Sequence, residues 1–277
     1  MSELATLYRS LLLDIEHGGS ASGMNAVAFS GGLDSSLVAK AVFDVFAARS
    51  SAIMALSPSV GRGMREQAER IAAHIGIPLR FVFTDEFQNP EYIANEGMSC
   101  YVCKNSIYHA MKAVMDDVEG NDIRVFNGSN KDDLADPTRV GLRAAREHQV
   151  LSPLSRFDKE RIRELARFVG LPNWDAAASP CLRSRLHIGV PATKQHVHRI
   201  EVAEELLRSL FRLDARCNIR VRHMPDDSAM VEIDETRLAE LDLALCRPPL
   251  LALGFAAVAK RAFRSGSVSA ATRNSDV

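Results

Sequence analysis

The chain has 277 residues, of which 47% are hydrophobic and 25% are charged, and its formal net charge is −1. These values are typical of a soluble globular protein with one large or two modest domains, and they exclude a global electrostatic attraction to nucleic acid or to a membrane. The odd number of cysteines, five, argues against a disulfide framework. No apolar run approaches the ~20 residues needed to span a bilayer, and residues 1–17 lack the pattern of a signal peptide, so we expect a cytoplasmic protein without a membrane partner.

Hydrophobic periodicity predicts alternating helices and strands up to residue 169. The expected elements are a helix at 2–16, a strand ending at 29, a helix after 36, strands at 52–56, 79–83 and 123–126, and helices at 63–75, 101–115 and 158–169. This alternation implies an α/β fold, in which a parallel sheet carries helices on both faces. Ligands of such sheets bind beyond the C-terminal ends of the strands. The polar residues that fall there are Ser30, Ser57, Thr84 and Asn127.

A different pattern begins after the irregular segment 174–191. The expected elements are a long helix from 193 to about 212, strands near 218–223 and 229–233, a helix at 235–245 and a last strand near 255–260. We therefore predict a first domain at 1–185 and a small α+β domain at 186–265 that serves substrate binding or oligomerisation. Residues 266–277 offer little to bury, so a disordered tail is expected there.

The sequence Ser-Gly-Gly-Leu-Asp-Ser-Ser at residues 30–36 lies between the first sheet strand and the next helix. Glycines allow positive φ and a close approach of a ligand to the backbone. A helix N-terminus offers free N–H groups and the positive end of the helix dipole to a phosphate. Asp34 is a candidate N-cap or magnesium ligand. An ordinary strand-to-helix turn is the simpler alternative.

The motif is not the GxxxxGK[ST] phosphate loop, because no lysine follows the glycines. It resembles the PP-loop of ATP pyrophosphatases, which implies an adenine nucleotide alpha-hydrolase-like fold. The resemblance also implies that ATP is cleaved between the α and β phosphates, so that a substrate oxygen is adenylated and pyrophosphate is released.

Two cysteines, Cys100 and Cys103, form a CxxC motif at a predicted helix start, and Cys181 follows much later in the chain. A structural zinc site needs four ligands, and no second pair is present. A redox dithiol remains open, as does ligation of a [4Fe–4S] cluster by the pair together with Cys181. Cys217 and Cys246 are most simply small buried hydrophobic residues.

Further motifs join these in one order along the chain. They lie at residues 30–35, 100–104, 128–133, 141–145, 152–154, 181–185, 220–223 and 264–267. Together they resemble the LarE family of ATP-dependent sulfur transferases, over roughly residues 20–267. The resemblance implies a role in nickel-pincer nucleotide biosynthesis. There, with ATP and Mg²⁺, a carboxylate of a pyridinium dicarboxylate mononucleotide is adenylated, and sulfur then replaces AMP to give a thiocarboxylate.

The resemblance also assigns roles to individual residues. Catalytic roles fall to Cys181 and Asp34. The expected ATP-binding residues are Ser30, Gly31, Gly32, Asp34, Ser35, Ser36, Ser57 and Gly128. The expected substrate-phosphate residues are Ser184, Arg185, Arg220 and Arg222, although Arg220 and Arg222 also fit a solvated basic strand face.

The source of the sulfur divides the family into two branches. In one branch, the cysteine that matches Cys181 gives up its own sulfur and becomes dehydroalanine. In the other, cysteines that match Cys100, Cys103 and Cys181 hold a [4Fe–4S] cluster whose open iron carries a sulfide. Because this chain has all three cysteines, we expect the cluster branch, with a sulfide source or a sulfur-donor protein as partner. Separately, we expect the protein to form a homo-oligomer.

Several positions depart from the family or admit a simpler interpretation. Arg183 stands where the family usually has a small residue, and the family is usually richer in tyrosine and proline at residues 135–140. These departures leave the detailed substrate open. Three charged residues either position ATP or Mg²⁺ or form a solvated loop: Lys131, Asp132 and Asp133. We expect three histidines at the surface or at helix caps: His196, His198 and His223.

Three other functions remain as alternatives. A PP-loop tRNA thiolase would use the same adenylation, but the near-neutral charge and the absence of a recognisable RNA-binding module argue against nucleic acid. An amide-forming synthetase of the same superfamily and a non-catalytic nucleotide sensor are the others.

Overall fold

The computed structural model describes residues 2–116, 122–214 and 216–264, so the tail predicted at 266–277 lies outside the described residues. In these ranges the helices are α1 (Glu3–Gly18), α2 (Leu33–Phe46), α3 (Arg62–Ile75), α4 (Pro90–Ala94), α5 (Ser99–Asp116), α6 (Lys131–Ala135), α7 (Gly141–Glu147), α8 (Lys159–Phe168), α9 (Lys194–Leu210) and α10 (Leu243–Ala252). The strands are β1 (Met24–Ala28), β2 (Ser50–Leu56), β3 (Leu79–Phe83), β4 (Ile123–Phe126), β5 (Ile219–His223), β6 (Ala229–Ile233) and β7 (Val258–Ala262).

The chain divides into two compact units, which are described separately. The first contains the described residues up to Ser57, then Arg62–Glu86 and Cys100–Ala176. The second contains Pro58–Gly61, Phe87–Ser99 and the described residues from Ala177 onward. The domain limits 1–185 and 186–265 remain predictions. Within the described ranges, no helix has the length and apolar character to cross a membrane.

The first unit is built on a parallel sheet with the strand order β3-β2-β1-β4, which confirms the predicted α/β fold. Strand β1 is buried on both faces of the sheet. Its adjacent residues Ala26 and Val27 point to opposite faces, and both are fully buried. Helices α5 and α7 pack against one face of this sheet. Their contacts there include Tyr108 and Met111 of α5 and Ala144 of α7. Helix α2 packs against β1 and β2 and also contacts α1, α3 and α8. The sheet therefore holds the start of α2 at the C-terminal strand ends.

The second unit contains a three-stranded mixed sheet in which β6 pairs antiparallel with β5 and parallel with β7. Helix α9 packs against β5 and α10 against β7. Cys217 and Cys246 belong to the core of this unit, as predicted. Burial raises the pKa of the Cys246 thiol to about 11, so this cysteine is poorly suited to act as a thiolate.

Two predictions for the second unit are wrong. The helix expected at 235–245 is only a 3-10 turn at Glu235–Arg237, and α10 begins at Leu243 instead. The reason is the cap: the Asp242 side chain accepts a hydrogen bond of 2.8 Å from the Ala244 N–H and so starts a new helix. His223, expected at the surface, is fully buried. Its Nε2 lies 2.8 Å from Asp227 Oδ1, and burial lowers its pKa below the usual value.

Candidate functional site

The two glycines after β1 adopt the tight turn that the motif predicts. Gly31 has φ +71°, a left-handed conformation that favours glycine. A Cβ added there would lie 2.7 Å from the Ala68 Cα on α3, so the turn packs directly on a helix backbone. Any other residue at Gly31 would be strained both by its own conformation and by this contact.

Gly32, not Asp34, is the N-cap of α2, so the N-cap expectation for Asp34 is wrong. The Gly32 carbonyl accepts hydrogen bonds from the Ser36 N–H at 2.9 Å, the Ser36 hydroxyl at 2.8 Å and the Ser35 hydroxyl at 3.0 Å. No side chain in the described residues caps α2. Because a helix start leaves its first N–H groups without intrahelical partners, these groups remain for an anion.

The loop after β4 packs against this helix start. A Cβ added at Gly128 would lie 2.7 Å from the Ser35 backbone nitrogen and 3.0 Å from the Asp34 Cβ. The neighbouring Asn127 anchors the loop, since its Oδ1 accepts hydrogen bonds of 2.9 Å from the Ser129 N–H and 2.9 Å from the Ser152 hydroxyl. The first unit thus brings together Gly128 and the predicted residues of the PP-loop.

Asp34 is engaged by a lysine that sequence reasoning missed. The Lys159 Nζ lies 2.6 Å from both carboxylate oxygens of Asp34. Lys159 is the first residue of α8, where the helix dipole disfavours a positive charge. That unfavourable placement is the sequence signal that could have pointed to a functional lysine. A cation therefore lies beside the uncapped start of α2.

Two amide side chains hold the carbonyl of Gly31. Gln67 Nε2, on α3, donates a hydrogen bond of 2.7 Å to this oxygen, and Asn173 Nδ2 donates another of 3.0 Å. Asn173 also donates to the Ser36 hydroxyl at 3.1 Å. Both amides were absent from the predicted site because they are distant from it in the sequence.

The C-terminal edge of the sheet carries further polar groups on the far side of β2. Ser57 follows β2, and the Thr84 N–H after β3 donates to the Leu56 carbonyl at 3.3 Å. The Thr84 hydroxyl and both carboxylate oxygens of Glu86 are buried, and within the described structure they have no hydrogen-bond partner. Buried polar atoms without partners are rare in folded proteins and need an explanation.

The charged residues after β4 stabilise their own loop. Asp133 forms a capping box with Asn130 at the start of α6 and pairs with Arg139 at 2.8 Å. Asp132 Oδ2 accepts a hydrogen bond of 3.1 Å from the Lys159 backbone N–H. Asp132 and Asp133 therefore shape the loop beside the lysine, and a role for Lys131 in binding ATP or Mg²⁺ remains a prediction.

The CxxC motif lies at the start of α5, where the sequence placed it. Cys100 is exposed and Cys103 is partly exposed, and a spacing of three places both on one side of the helix. Helix α7 is tied to this turn, because the Tyr101 hydroxyl donates to Glu147 Oε2 at 2.7 Å. The two thiols are thus at least partly accessible and lie in the first turns of a helix.

Cys181 belongs to the second unit, where it precedes a 3-10 turn at Leu182–Arg185. The Cys181 carbonyl accepts hydrogen bonds from the Ser184 hydroxyl at 2.7 Å and from Arg185 Nη1 at 3.1 Å. Arg185 is itself held by both oxygens of Glu204, at 2.9 and 3.2 Å. This network positions the partly exposed Cys181 and occupies much of the hydrogen-bonding capacity of Arg185.

The arginine-bearing face of the small sheet carries an excess of positive charge. Arg222 Nε donates to Glu232 Oε2 at 2.7 Å, and Arg261 Nε donates to Glu232 Oε1 at 2.9 Å. Arg220 is buried beside them, and in the described residues no carboxylate lies within ion-pair distance of its guanidinium. Burial, together with the nearby Arg185, lowers the pKa of Arg220 to about 10. Its Nη1 and Nη2 donate to the backbone carbonyls of Ile219 and Ala178, so the partners of this buried cation in the described residues are neutral oxygens rather than an anion.

The predicted residues thus fall into two groups. The PP-loop, Gly128, Cys100 and Cys103 belong to the first unit, whereas Cys181, Ser184 and the three arginines belong to the second. Among the described residues, no three His, Cys, Asp or Glu side chains are arranged to hold a metal ion. Ligation of a cluster by the three cysteines remains a prediction.

Comparison with known proteins identifies the family. No family model matches the chain. The chain is 31% identical over 217 residues to the pyridinium-3,5-bisthiocarboxylic acid mononucleotide synthase of Lactiplantibacillus plantarum, a LarE enzyme. The aligned residues cover 77% of this chain and 76% of that protein. The chain belongs to the LarE family. It is therefore an enzyme of the sulfurtransferase class.

Two other relatives are similar to the chain. An uncharacterised protein of Synechocystis sp. is 36% identical over 221 residues, which covers 78% of this chain and 81% of that protein. A probable tRNA sulfurtransferase of Methanothermobacter thermautotrophicus is 26% identical over 180 residues, which covers 59% of this chain and 45% of that protein. The LarE family and the tRNA enzyme both transfer sulfur, and the similarity to both is consistent with the PP-loop superfamily.

The close contacts of the two site glycines generate a prediction. Gly31→Ala and Gly128→Ala should each weaken ATP binding by about tenfold or more, because the added methyl displaces the backbone of the loop or of α2. The matched control is Gly63→Ala on α3, where nothing lies within 4 Å of the added carbon. Calorimetric titration with ATP measures the effect, and wild-type affinity in the Gly128 variant would remove that loop from the phosphate site.

Proposed function

We propose that the protein is an ATP-dependent sulfurtransferase that converts a carboxylate of a pyridinium dicarboxylate mononucleotide into a thiocarboxylate. The observation that carries the proposal is the uncapped start of α2 behind Gly31, with Lys159 and Gly128 packed around it. The family membership supports the substrate class, because the Lactiplantibacillus relative is named for a bisthiocarboxylic acid mononucleotide.

The first step is the adenylation of the carboxylate. A carboxylate oxygen attacks the α-phosphorus of ATP, the bond to the bridging oxygen breaks, and pyrophosphate leaves with its electron pair. The N–H groups of α2 and the Lys159 ammonium are placed to stabilise the charge that develops on the leaving pyrophosphate. When phosphate takes Lys159 as its partner, the Asp34 carboxylate becomes available to Mg²⁺, which would neutralise the phosphates.

The second step replaces AMP by sulfur. A thiolate or sulfide attacks the acyl carbon of the adenylate, and AMP leaves as a good leaving group. Cys100, Cys103 and Cys181 are thiols with access to solvent, which fits the donor set of a [4Fe–4S] cluster with one open iron. Such a cluster would be held by these three side chains and would supply a sulfide nucleophile. If Cys181 is instead the donor, acyl transfer to its thiolate is followed by elimination: a base removes the Cα proton, the Cβ–Sγ bond breaks, and the thiocarboxylate leaves with the electron pair. Residue 181 then remains as dehydroalanine.

The substrate phosphate has its best-supported partner in Arg220. This guanidinium is 4% exposed and lacks a carboxylate partner among the described residues, whereas Arg185 and Arg222 are each paired with a buried glutamate. Ser184 donates its hydroxyl to the Cys181 carbonyl. We propose that Arg220 binds the phosphate directly, and that Ser184 and Arg185 hold the cysteine turn beside it.

Pyrophosphate release is the direct test of the first step. Wild-type protein with ATP, Mg²⁺ and a pyridinium dicarboxylate mononucleotide should release pyrophosphate, and Asp34→Asn and Lys159→Met should each lower kcat/KM by about a hundredfold. Lys40→Met is the matched control, since Lys40 pairs with Asp44 further along the same helix. Wild-type protein that releases no pyrophosphate with this substrate would contradict the proposal.

Iron analysis tests the second step. After anaerobic reconstitution, wild-type protein should bind about four irons per chain, and Cys100→Ala and Cys103→Ala should lose them. Cys217→Ala, in the core of the second unit, should retain the iron. An iron-free wild type in which Cys181 becomes lighter by H₂S on turnover would instead establish the cysteine as the sulfur donor.

A second candidate function is thiolation of tRNA, which the similarity to a probable tRNA sulfurtransferase favours. The formal net charge of −1 opposes it, because tRNA-binding surfaces are basic. Binding of tRNA that weakens steeply with salt, together with sulfur incorporation into the RNA, would establish this function in place of the proposed one.

A further inference from the structure

The peptide between Gly31 and Gly32 is held from behind by two neutral amides. Gln67 Nε2 and Asn173 Nδ2 both donate to the Gly31 carbonyl, at 2.7 and 3.0 Å. Both interactions lie within the first unit, and Asn173 is nearly buried. Two donors on one carbonyl fix the rotation of that peptide plane more firmly than one donor does.

The direction of this carbonyl decides the direction of a nitrogen. In a planar trans peptide the C=O and the following N–H point to opposite sides, so the amides that hold the Gly31 carbonyl also aim the Gly32 N–H. That N–H points to the side of the exposed Ser30 hydroxyl, which it meets at the long distance of 3.4 Å. Because glycine readily adopts several backbone conformations, this peptide could otherwise rotate.

We propose that Gln67 and Asn173 are positioning residues of the PP-loop, which aim the Gly32 N–H at the pyrophosphate portion of ATP. The inference rests on the proposed function and adds to it two residues that touch neither ATP nor the reacting atoms. Gln67 makes the packing of α3 part of the phosphate site, and Asn173 does the same for the segment after α8. Without the two amides, the nucleotide would have to order this peptide on binding.

The test compares ligands with and without the β-phosphate. Gln67→Met and Asn173→Leu remove the donors without adding a charge, and Gln195→Met on the exposed face of α9 is the matched control. Each site variant should weaken the binding of pyrophosphate and ATP by about tenfold, the value of one hydrogen bond, while AMP affinity changes less than twofold.

The outcomes separate the positioning role from general damage and from the proposed function. If a variant loses affinity for AMP and for pyrophosphate equally, the amides are merely structural. The same holds if a lowered melting temperature explains the loss of affinity for both ligands. Unchanged pyrophosphate affinity in a variant that combines Gln67→Met with Asn173→Leu would overturn the positioning role. Failure of the wild-type protein to bind ATP or release pyrophosphate would instead contradict the proposed function.

The orphaned polar atoms after β3 carry a second, independent inference. Glu86 is 1% exposed, and both of its carboxylate oxygens lack a partner in the described residues, as does the Thr84 hydroxyl. A buried carboxylate without donors is costly, so a ligand that supplies donors would be favoured. Strand β3 lies two positions from β1 in the sheet, which places Thr84 about 10 Å along the edge from the PP-loop.

The geometry points to the ribose of ATP as the missing donor, with its two neighbouring hydroxyls bound by Glu86. A nucleoside attached to phosphates at the PP-loop spans this distance along the sheet edge. The cis-diol offers two donors for two carboxylate oxygens, the arrangement by which acidic residues at strand ends bind ribose in other nucleotide-binding sheets. This inference also rests on the proposed use of ATP.

Discrimination between ATP and 2′-deoxyATP tests this subsite. Wild-type protein should prefer ATP in KM by about tenfold, and Glu86→Gln should abolish most of that preference while KM for 2′-deoxyATP changes little. Glu66→Gln on the exposed face of α3 is the matched control. Thr84→Val removes the buried Thr84 hydroxyl without changing the charge, and its preference for ATP over 2′-deoxyATP is measured in the same way. Equal use of both nucleotides by the wild type, or a preference that persists in Glu86→Gln, would overturn the ribose assignment, whereas no activity with either would contradict the proposed function.

Discussion

The left-handed backbone at Gly31 is the constraint on which the start of α2, and with it the proposed nucleotide site, depends. With φ +71° and the Ala68 backbone against it, this residue turns the chain so that Gly32, which has no side chain, caps α2. A serine or aspartate cap would have satisfied the helix internally and used the N–H groups that a phosphate requires. The parallel sheet, α3 and the loop after β4 each contribute by holding this turn in place.

Charge is distributed between the two units in complementary ways. In the first unit, one lysine and a helix dipole lie beside a single carboxylate, and in the proposed reaction the lysine would exchange this carboxylate for a phosphate. In the second unit, Arg222 and Arg261 share Glu232, and Arg220 is left without a carboxylate in the described residues. Under the proposed function, the first arrangement would serve the leaving pyrophosphate and the second would serve the phosphate of the other substrate.

Local patterns predicted the fold well because they depend on neighbouring residues. The strands expected at 79–83 and 123–126 have those bounds in the structure, since short apolar runs between turns leave little choice. The helix expected at 235–245 failed because Asp242 starts a new helix, which periodicity alone does not show. The prediction of a surface position for His223 failed because burial depends on how the whole unit packs rather than on the local sequence.

The site was predictable only where it is contiguous in sequence. The PP-loop and the CxxC turn lie within single segments, and the family resemblance added Cys181 and the arginines. Lys159, Gln67 and Asn173 reach the loop from three other parts of the first unit. No spacing rule connects them to the glycines, so only the folded chain shows that they contact this part of the first unit.

The fate of the carboxylate oxygen tests the account most directly. A pyridinium dicarboxylate mononucleotide labelled with heavy oxygen in its carboxylates should be incubated with the enzyme, ATP and Mg²⁺, and the AMP examined by mass spectrometry. The AMP should carry one labelled oxygen, because the carboxylate oxygen that attacked the α-phosphorus leaves with AMP when sulfur replaces it. Unlabelled AMP formed together with pyrophosphate and a thiocarboxylate would contradict it.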